Sequence, residues 1–477
     1  MMKSRALFVA GMLLSLCCGT RARAAAAETR PNILFFLIDD MGYNDFSCFG
    51  GVRAHTTHID QCASEGIKFT QFYVAEPICS PSRVGFTTGQ FPVRWHITSY
   101  LDNRKMDHER GMADWLDPKA PVLARMLHDA GYYTAHVGKW HMGGQRDVGD
   151  APHIETYGFD RALTTFEGLA AERILPTFEP YNPKDPYKYP QVRTAASLPG
   201  PFTNVRRYRV SEKLVDRAIE EIKTAREKGK PFYINLWPDD VHSPNEAPPD
   251  MRGDNTPPAN YVGVLNELDH QFGRIYDYIK SDPELRDNTI ILIASDNGPE
   301  KGLGYSDDLR GSKGQLWEGG IRLPLICWGP KFLTPSAVGT TNSKTVIDGI
   351  DFPPSILALT GVTKTDGVKF DGLDMSSVLL GKEIPDRSKP MMWVRPPDRP
   401  GPPKNRLPDL AIREGNWKLL IWKNESKPAE LFDIIADPDE KTDRAAGETA
   451  VVKHLTDELM AWDRQVEPSS KTAAAGG

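Results

Sequence analysis

The sequence predicts an α/β protein with a central, mainly parallel sheet flanked by helices, and a smaller C-terminal α+β subdomain. Three observations lead there. Short uninterrupted apolar runs recur, beginning with NILFFLI over 32–38. Amphipathic helical stretches lie between them. Each run also ends in residues capable of chemistry. An apolar run without alternation is what a strand covered on both faces requires.

Taken in order, the further strand-like runs are 132–137, 231–237 and 289–294. A helix is expected over 122–130, stopped at Gly131. A second is expected over 211–227, with Leu214, Ala218, Ile219, Ile222 and Ala225 on its apolar side, and a third over 265–279. Residues 176–201 are rich in Pro, Tyr and Lys and lack periodicity, which reads as a long surface insertion. PPDRPGPPKNRLP (396–408) reads as an exposed boundary loop. After it, the apolar stretch 411–422, ELFD at 430–433 and a helix over 451–462 compose the small subdomain. The expected organisation is a signal segment over 1–27, a catalytic unit over 28–390, the C-terminal subdomain over 391–468 and a disordered tail over 469–477.

The chain has 477 residues, 40% hydrophobic and 26% charged, an ordinary balance for a buried core that argues against wholesale disorder. A net charge of -6 lacks the basic excess that a nucleic-acid partner calls for. Lys3 and Arg5, the apolar stretch 6–18 and the alanines of 22–27 have the layout of an export signal. The apolar part is too short to span a bilayer comfortably, so the expected product is periplasmic or secreted, with no stable membrane span. Leu16 before Cys17 and Cys18 disfavours a lipoprotein anchor. The remaining cysteines, Cys48, Cys62, Cys79 and Cys327, make no disulfide framework and no CxxC zinc motif, and leave pairing open.

In open α/β sheets ligands sit beyond the carboxyl ends of the strands. Those ends carry Asp39-Asp40, then Lys139-Trp140-His141, then Asp239-Asp240-Val241-His242, then Asp296-Asn297-Gly298. If the strands are neighbours, Asp39, Asp40, Asp296 and the Asn297 carbonyl offer the hard oxygens that suit calcium or magnesium and not zinc. In CSPSRVGFTTG (79–89), Ser80 and Pro81 open a helix, which puts Cys79 at its N-terminus and Arg83 one turn on. An anion there meets backbone N–H groups and a guanidinium.

C-S-P-S-R followed by T-G resembles the signature of the type I, formylglycine-dependent sulfatases of the alkaline-phosphatase-like superfamily. The resemblance extends through IDDMG (38–42), GKWH (138–141), HSP (242–244), DNG (296–298), LRGSKG with WEGGIR (309–322), and ELFD with DPDE (430–440). These stand in family order over nearly the whole mature chain. Gln90 departs from the pattern, because an arginine often follows Thr-Gly there.

The resemblance implies an alkaline-phosphatase-like fold and a sulfuric ester hydrolase. It implies that Cys79 is oxidised to 3-oxoalanine (Cα-formylglycine) by a formylglycine-generating or anaerobic sulfatase-maturating enzyme. One hydroxyl of the aldehyde hydrate attacks sulfur, and the other expels sulfate by re-forming the aldehyde. Asp39, Asp40, Asp296, Asn297 and residue 79 would hold calcium, with magnesium as the alternative. Arg83 would orient the hydrate, and Lys139 and Lys313 would clamp sulfate oxygens. His141 would aid proton removal, and His242 would protonate the leaving oxygen. For the leaving alcohol the sequence offers His96, Asp102, Arg104 and Asp239, with Trp95 nearby. Trp140 and Trp237 are read either as sugar platforms or as core. The expected substrate is a sulfated saccharide. The alternatives are a phosphate or phosphonate monoester hydrolase of the same superfamily, and a catalytically silent sulfated-glycan-binding protein in which Cys79 stays a thiol.

Overall fold

A computed structural model describes residues 30–165, 167–178, 201–306, 308–423 and 427–466. The expected signal segment, the expected disordered tail and most of the expected 176–201 insertion lie outside them.

The strands are β1 (Asn32–Ile38), β2 (Ile67–Tyr73), β3 (Tyr133–Gly138), β4 (Arg161–Thr164), β5 (Glu172–Thr177), β6 (Thr203–Arg206), β7 (Phe232–Trp237) and β8 (Thr289–Ser295). They continue with β9 (Arg322–Trp328), β10 (Thr341–Asn342), β11 (Ile347–Asp348), β12 (Met391–Val394), β13 (Leu410–Glu414), β14 (Trp417–Ile421) and β15 (Glu430–Asp433). The large sheet runs β10-β2-β9-β8-β1-β7-β3-β4-β5-β6, with β11 also on β2. Its pairs are parallel except β2–β9 and β8–β9, so β9 alone runs against its neighbours. The expected insertion begins later than its composition suggests, because residues 176 and 177 complete β5.

β1 is apolar throughout because both of its faces are covered. Leu34, Phe36 and Ile38 pack with Leu214, Phe272 and Tyr276 on one side, whereas Phe35 and Leu37 pack with Phe86, Trp237 and Phe352 on the other. The helices supplying the first layer are Val210–Glu227 and Pro257–Ser281. The second of these starts earlier than its apolar periodicity indicates: Thr256 caps it by accepting from Ala259 N–H, and prolines fill its first turn.

The C-terminal sheet, β12-β13-β14-β15, is antiparallel throughout. Its period of two divides its side chains between two cores. Met391, Trp393, Ala411, Leu420 and Phe432 join the main core, while Met392, Leu410, Ile412, Leu419 and Leu431 meet Leu455, Leu459 and Trp462 of the helix Thr449–Val466. Trp393 Nε1 donates to the Val74 carbonyl at 2.7 Å, which ties this sheet to the segment leading into Cys79. Cys48, Cys62, Cys79 and Cys327 are all free. Among the described residues, no helix is long and apolar enough to cross a membrane.

Candidate active site

β1, β3, β7 and β8 are adjacent and parallel, so their carboxyl ends share one edge of the sheet. The polar residues that follow each strand therefore meet. Lys139 enters through a tight passage. Gly138 has φ +124, and a Cβ there would stand 2.1 Å from the Trp237 carbonyl oxygen, so glycine is required where β3 leaves the sheet.

The helix Cys79–Thr88 is buried along its whole length and places Cys79 in its first turn. Arg83, on the next turn, is fully buried. Its Nε and Nη2 donate to Asp296 Oδ2 at 3.0 and 2.7 Å, and its Nη1 donates to the Lys139 carbonyl at 3.0 Å. Lys139 Nζ reaches Asp39 Oδ2 at 2.7 Å, and Lys313 Nζ reaches Asp40 Oδ2 at 2.6 Å. Asn297 Nδ2 donates to Asp40 Oδ1 at 2.7 Å. Asp40 holds a left-handed backbone, φ +60, a strained conformation of the kind that concentrates at functional sites.

Asp39, Asp40 and Asp296 each offer a carboxylate oxygen, and these lie within 4.8 Å of one another. Two buried oxygens of the nest, Asp39 Oδ1 and Asn297 Oδ1, have no hydrogen-bond partner among the described residues. A buried acceptor left unpaired is costly. The donor set is all hard oxygen, so the nest fits a calcium- or magnesium-like cation. The charges agree. Burial and then the Asp39 charge push the Asp296 carboxyl well above its ordinary range. Burial also pushes Asp39 up, but Lys139 and Arg83 outweigh it and hold Asp39 well below the ordinary range.

Burial raises the Cys79 thiol, against the pull of Lys139 and Lys313. Unmodified, it is a protonated thiol and a poor nucleophile.

His141 Nε2 lies 3.0 Å from the Leu101 carbonyl and its Nδ1 3.0 Å from Glu167 Oε2. Both ring nitrogens thus face acceptors. Glu167 also lies 3.5 Å from Lys139 Nζ. Burial drives His141 down to about 4 against the Glu167 charge, whereas Glu167, raised by burial, is brought down to about 2 by His141 and Lys139. His242 Nδ1 stands 2.7 Å from the Ser243 carbonyl, and its Nε2 3.6 Å from Asp40 Oδ2. The buried Arg207 braces this loop through Asp239 Oδ2 at 2.8 Å and the His242 carbonyl at 2.9 Å.

A cavity of about 670 Å³ opens over this nest, lined by Cys79, Lys139, His141, His242 and Lys313 among others. Asp239 lines it as expected and keeps Oδ1 without a hydrogen-bond partner. Three expected substrate contacts do not line it. His96 caps a short 3-10 helix at φ +55 and takes part through its backbone. Arg104 turns away to Asp114 and Asp150 and stacks over Trp115 at 5.6 Å. Asp102 sits behind the wall and grips Arg146, which does line the cavity, at 2.5 Å. Trp140 and Trp237 are buried in an aromatic cluster around His136, so they are core; the Arg83 guanidinium lies 5.3 Å over the Trp237 ring. Trp95 is half-buried and donates to Gln90 Oε1, so Gln90 acts here as a local tie.

Glu167, Arg207 and Glu300 were not singled out from the sequence, yet all three line the cavity. Glu167 follows β4, where the strand-end rule applied to a four-residue strand would have found it. Glu300 accepts from Ser243 Oγ at 2.6 Å and lies close behind the Asp296-Asn297 pair in sequence. Arg207 stands in RRYR and carries no sequence mark that separates it from surface charge.

A cation nest, two lysines beside it and an anion-accepting helix end define a hydrolase for esters of tetrahedral oxyanions. Residues 31–362 match the family model described as Sulfatase, and the chain belongs to that family: it is a sulfuric ester hydrolase. It is 26% identical over 502 residues to an N-acetylgalactosamine-6-O-sulfatase of Bacteroides thetaiotaomicron, covering 90% of this chain and 92% of that protein. It is 29% identical over 392 residues to the human N-acetylgalactosamine-6-sulfatase, covering 78% and 70%. Among solved structures, Ps i-CgsB in complex with k-i-k-neocarrahexaose superposes with a TM-score of 0.75 at 25% identity, covering 91% of this chain and 93% of that one. The fold is thus the alkaline-phosphatase-like fold of the sulfatases.

Proposed function

We propose that this enzyme releases inorganic sulfate from a sulfated saccharide, with residue 79 as 3-oxoalanine and calcium held by Asp39, Asp40, Asp296 and Asn297 beside it. The observation that carries the reading is the carboxylate nest, whose Asp39 Oδ1 and Asn297 Oδ1 accept no hydrogen bond, set beside Cys79 at the floor of an open cavity. The saccharide relatives and the size of the cavity support a sugar as the leaving alcohol.

The aldehyde supplies, as its hydrate, an oxygen nucleophile that the buried thiol does not, and the cation supplies positive charge to it and to the sulfate. Lys139 and Lys313 each donate a hydrogen bond to one carboxylate, and an ammonium has three donors, so both keep donors for sulfate oxygens. Arg83 holds Asp296 and the Lys139 carbonyl and thereby fixes the floor. With Nδ1–H held by the Ser243 carbonyl, His242 gives a proton to the leaving oxygen from Nε2 as the imidazolium and is left as the neutral Nδ1–H tautomer. His141 and Glu167 act as one proton-handling pair, because the His141 Nδ1 atom faces the carboxylate.

Cys79 is 2% exposed, so the oxidation by a formylglycine-generating or anaerobic sulfatase-maturating enzyme acts before the chain closes over it. The first 27 residues support export to the periplasm or medium. Fractionation of the host cell tests this, with retention in the cytoplasm as the contrary result.

Two measurements test the function. The tryptic peptide spanning residue 79 should be lighter by about 18 Da than its cysteine form. An unmodified thiol would instead favour a silent glycan-binding protein. Desalted sulfated mono- and disaccharides, supplied with calcium, should release sulfate faster than matched phosphate esters release phosphate; the reverse order would favour the phosphate or phosphonate hydrolase.

A further inference from the structure

The cavity, which Glu167, Asp239 and Glu300 also line, carries cations beyond those paired at the nest. Around the nest the charges are matched, with Lys139, Lys313 and Arg83 facing Asp39, Asp40 and Asp296. Farther out, Arg146, Lys301 and Arg399 also line the cavity. Arg146 is paired with Asp102, but Lys301 has no ion-pair partner among the described residues.

Arg399 comes from the proline-rich 396–408 loop, whose composition marks it as a boundary, yet it reaches the site. Its side chain lies against Gly314, next to Lys313 in the chain: a Cβ on Gly314 would meet Arg399 Cγ and Cδ at 3.2 Å. Consecutive Cα atoms are about 3.8 Å apart, so Arg399 packs on the backbone that carries Lys313. It also sits 5.2 Å over the Tyr100 ring, and its Nη1 donates to Asp398 Oδ2 at 2.9 Å. Asp398 is itself held by Ser99 Oγ at 2.6 Å and faces Arg110 at 3.4 Å, so one carboxylate is shared between two guanidiniums. Among the described residues no acceptor meets Arg399 Nε or Nη2. The result is a cation placed in advance, part-neutralised, with free donors. An arginine held this way suits planar or tetrahedral oxyanions.

Building on the saccharide reading above, we propose that Arg399 is a specificity-determining residue that holds a second anionic group of the substrate, a carboxylate or another sulfate, beside the sulfate being removed. The substrate is then a saccharide with at least two negative charges close together, and the C-terminal region reads the second.

The test uses the matured full-length chain and three saccharides: one with a single sulfate, one with that sulfate and a neighbouring uronate carboxylate, and one with two sulfates. Wild type should prefer at least one dianionic substrate, and which one identifies the second anion. Arg399→Gln should lower kcat/KM for that substrate by about 10- to 100-fold, mainly through KM, and leave the monosulfated substrate within about twofold. Arg399→Lys should fall between. The wild-type preference should also shrink as ionic strength rises from about 0.05 to about 0.5 M. Equal losses on all substrates, no loss on any, or a preference indifferent to salt would each overturn the proposal while leaving the saccharide reading intact. Turnover of an aryl sulfate with none of any saccharide would overturn both.

Discussion

Two of the buried ionic clusters among the described residues differ in where they lie: one borders the cavity and the other does not. In the nest, Asp39, Asp40 and Asp296 face Arg83, Lys139 and Lys313, yet buried oxygens of Asp39 and Asn297 remain without hydrogen bonds and the cluster borders a cavity. In the second cluster, Lys418 of β14 is fully buried between Glu318 at 2.9 Å and Glu440 at 3.0 Å. Tyr73 donates to Glu318 at 2.6 Å, Arg322 lies 3.6 Å from it, and Glu440 accepts from the Glu318 backbone N–H at 2.8 Å. This second cluster clamps the C-terminal sheet onto the chain just beyond the Lys313 loop. Buried charge that opens onto a cavity marks chemistry; buried charge walled off from it marks assembly. The two clusters should therefore fail in opposite ways.

The largest effect is expected at the site. Cys79→Ala should reduce sulfate release by about 10⁴-fold or more while the melting temperature stays within a few degrees, because residue 79 acts through chemistry more than packing. Assay and thermal melt of the same preparation check this. Lys418→Met should do the reverse. Removing the cation strands two buried carboxylates, at a cost of about 3–5 kcal/mol in denaturant unfolding, while kcat/KM of the folded fraction changes little. A loss of turnover without a loss of stability in Lys418→Met would erase the distinction.

The third prediction concerns a buried group outside both clusters. His136 is caged by Trp140, Phe159 and Trp237, and burial, helped by the Arg83 charge, lowers it from 6.5 to about 3. Above pH 6.5 it is neutral in both states and stability is unaffected. As pH falls below 6.5 the unfolded chain takes up a proton that the folded chain refuses, so stability is lost progressively toward pH 3. His136→Phe should remove a few kcal/mol of this acid sensitivity between pH 7 and 4, read from urea unfolding across that range. The smallest effect is expected at Arg104→Ala, which should change kcat/KM by less than about threefold, since neither Arg104 nor its partners Asp114 and Asp150 line the cavity. A larger loss would return Arg104 to the site.

Much of this was legible in the sequence, for physical reasons. β1 announces itself because both faces are covered, so no polar residue interrupts it. Asp39, Asp40, Asp296, Asn297, Lys139, His141 and His242 are legible because a parallel sheet delivers its strand ends to one edge. What stayed hidden depends on how the chain travels afterwards. His96, Asp102 and Arg104 follow the signature helix closely in sequence, but in that stretch it is Tyr100 that lines the cavity, and Asp102 acts on the wall through Arg146. Arg207 and Arg399 come from stretches that read as surface charge and linker, and only tertiary packing brings them to the cavity. β9 was missed because its antiparallel pairing has no signature separate from that of any other buried strand.

The central claim is that the nest of strand-end carboxylates holds the catalytic cation. Anomalous diffraction from crystals of the matured enzyme grown with calcium tests it most directly. The account predicts one strong peak among Asp39, Asp40, Asp296 and Asn297, lost in Asp40→Asn together with sulfate release. A peak instead at the exposed Glu414, His454 and Glu458 group, or full turnover with the nest empty, would contradict it.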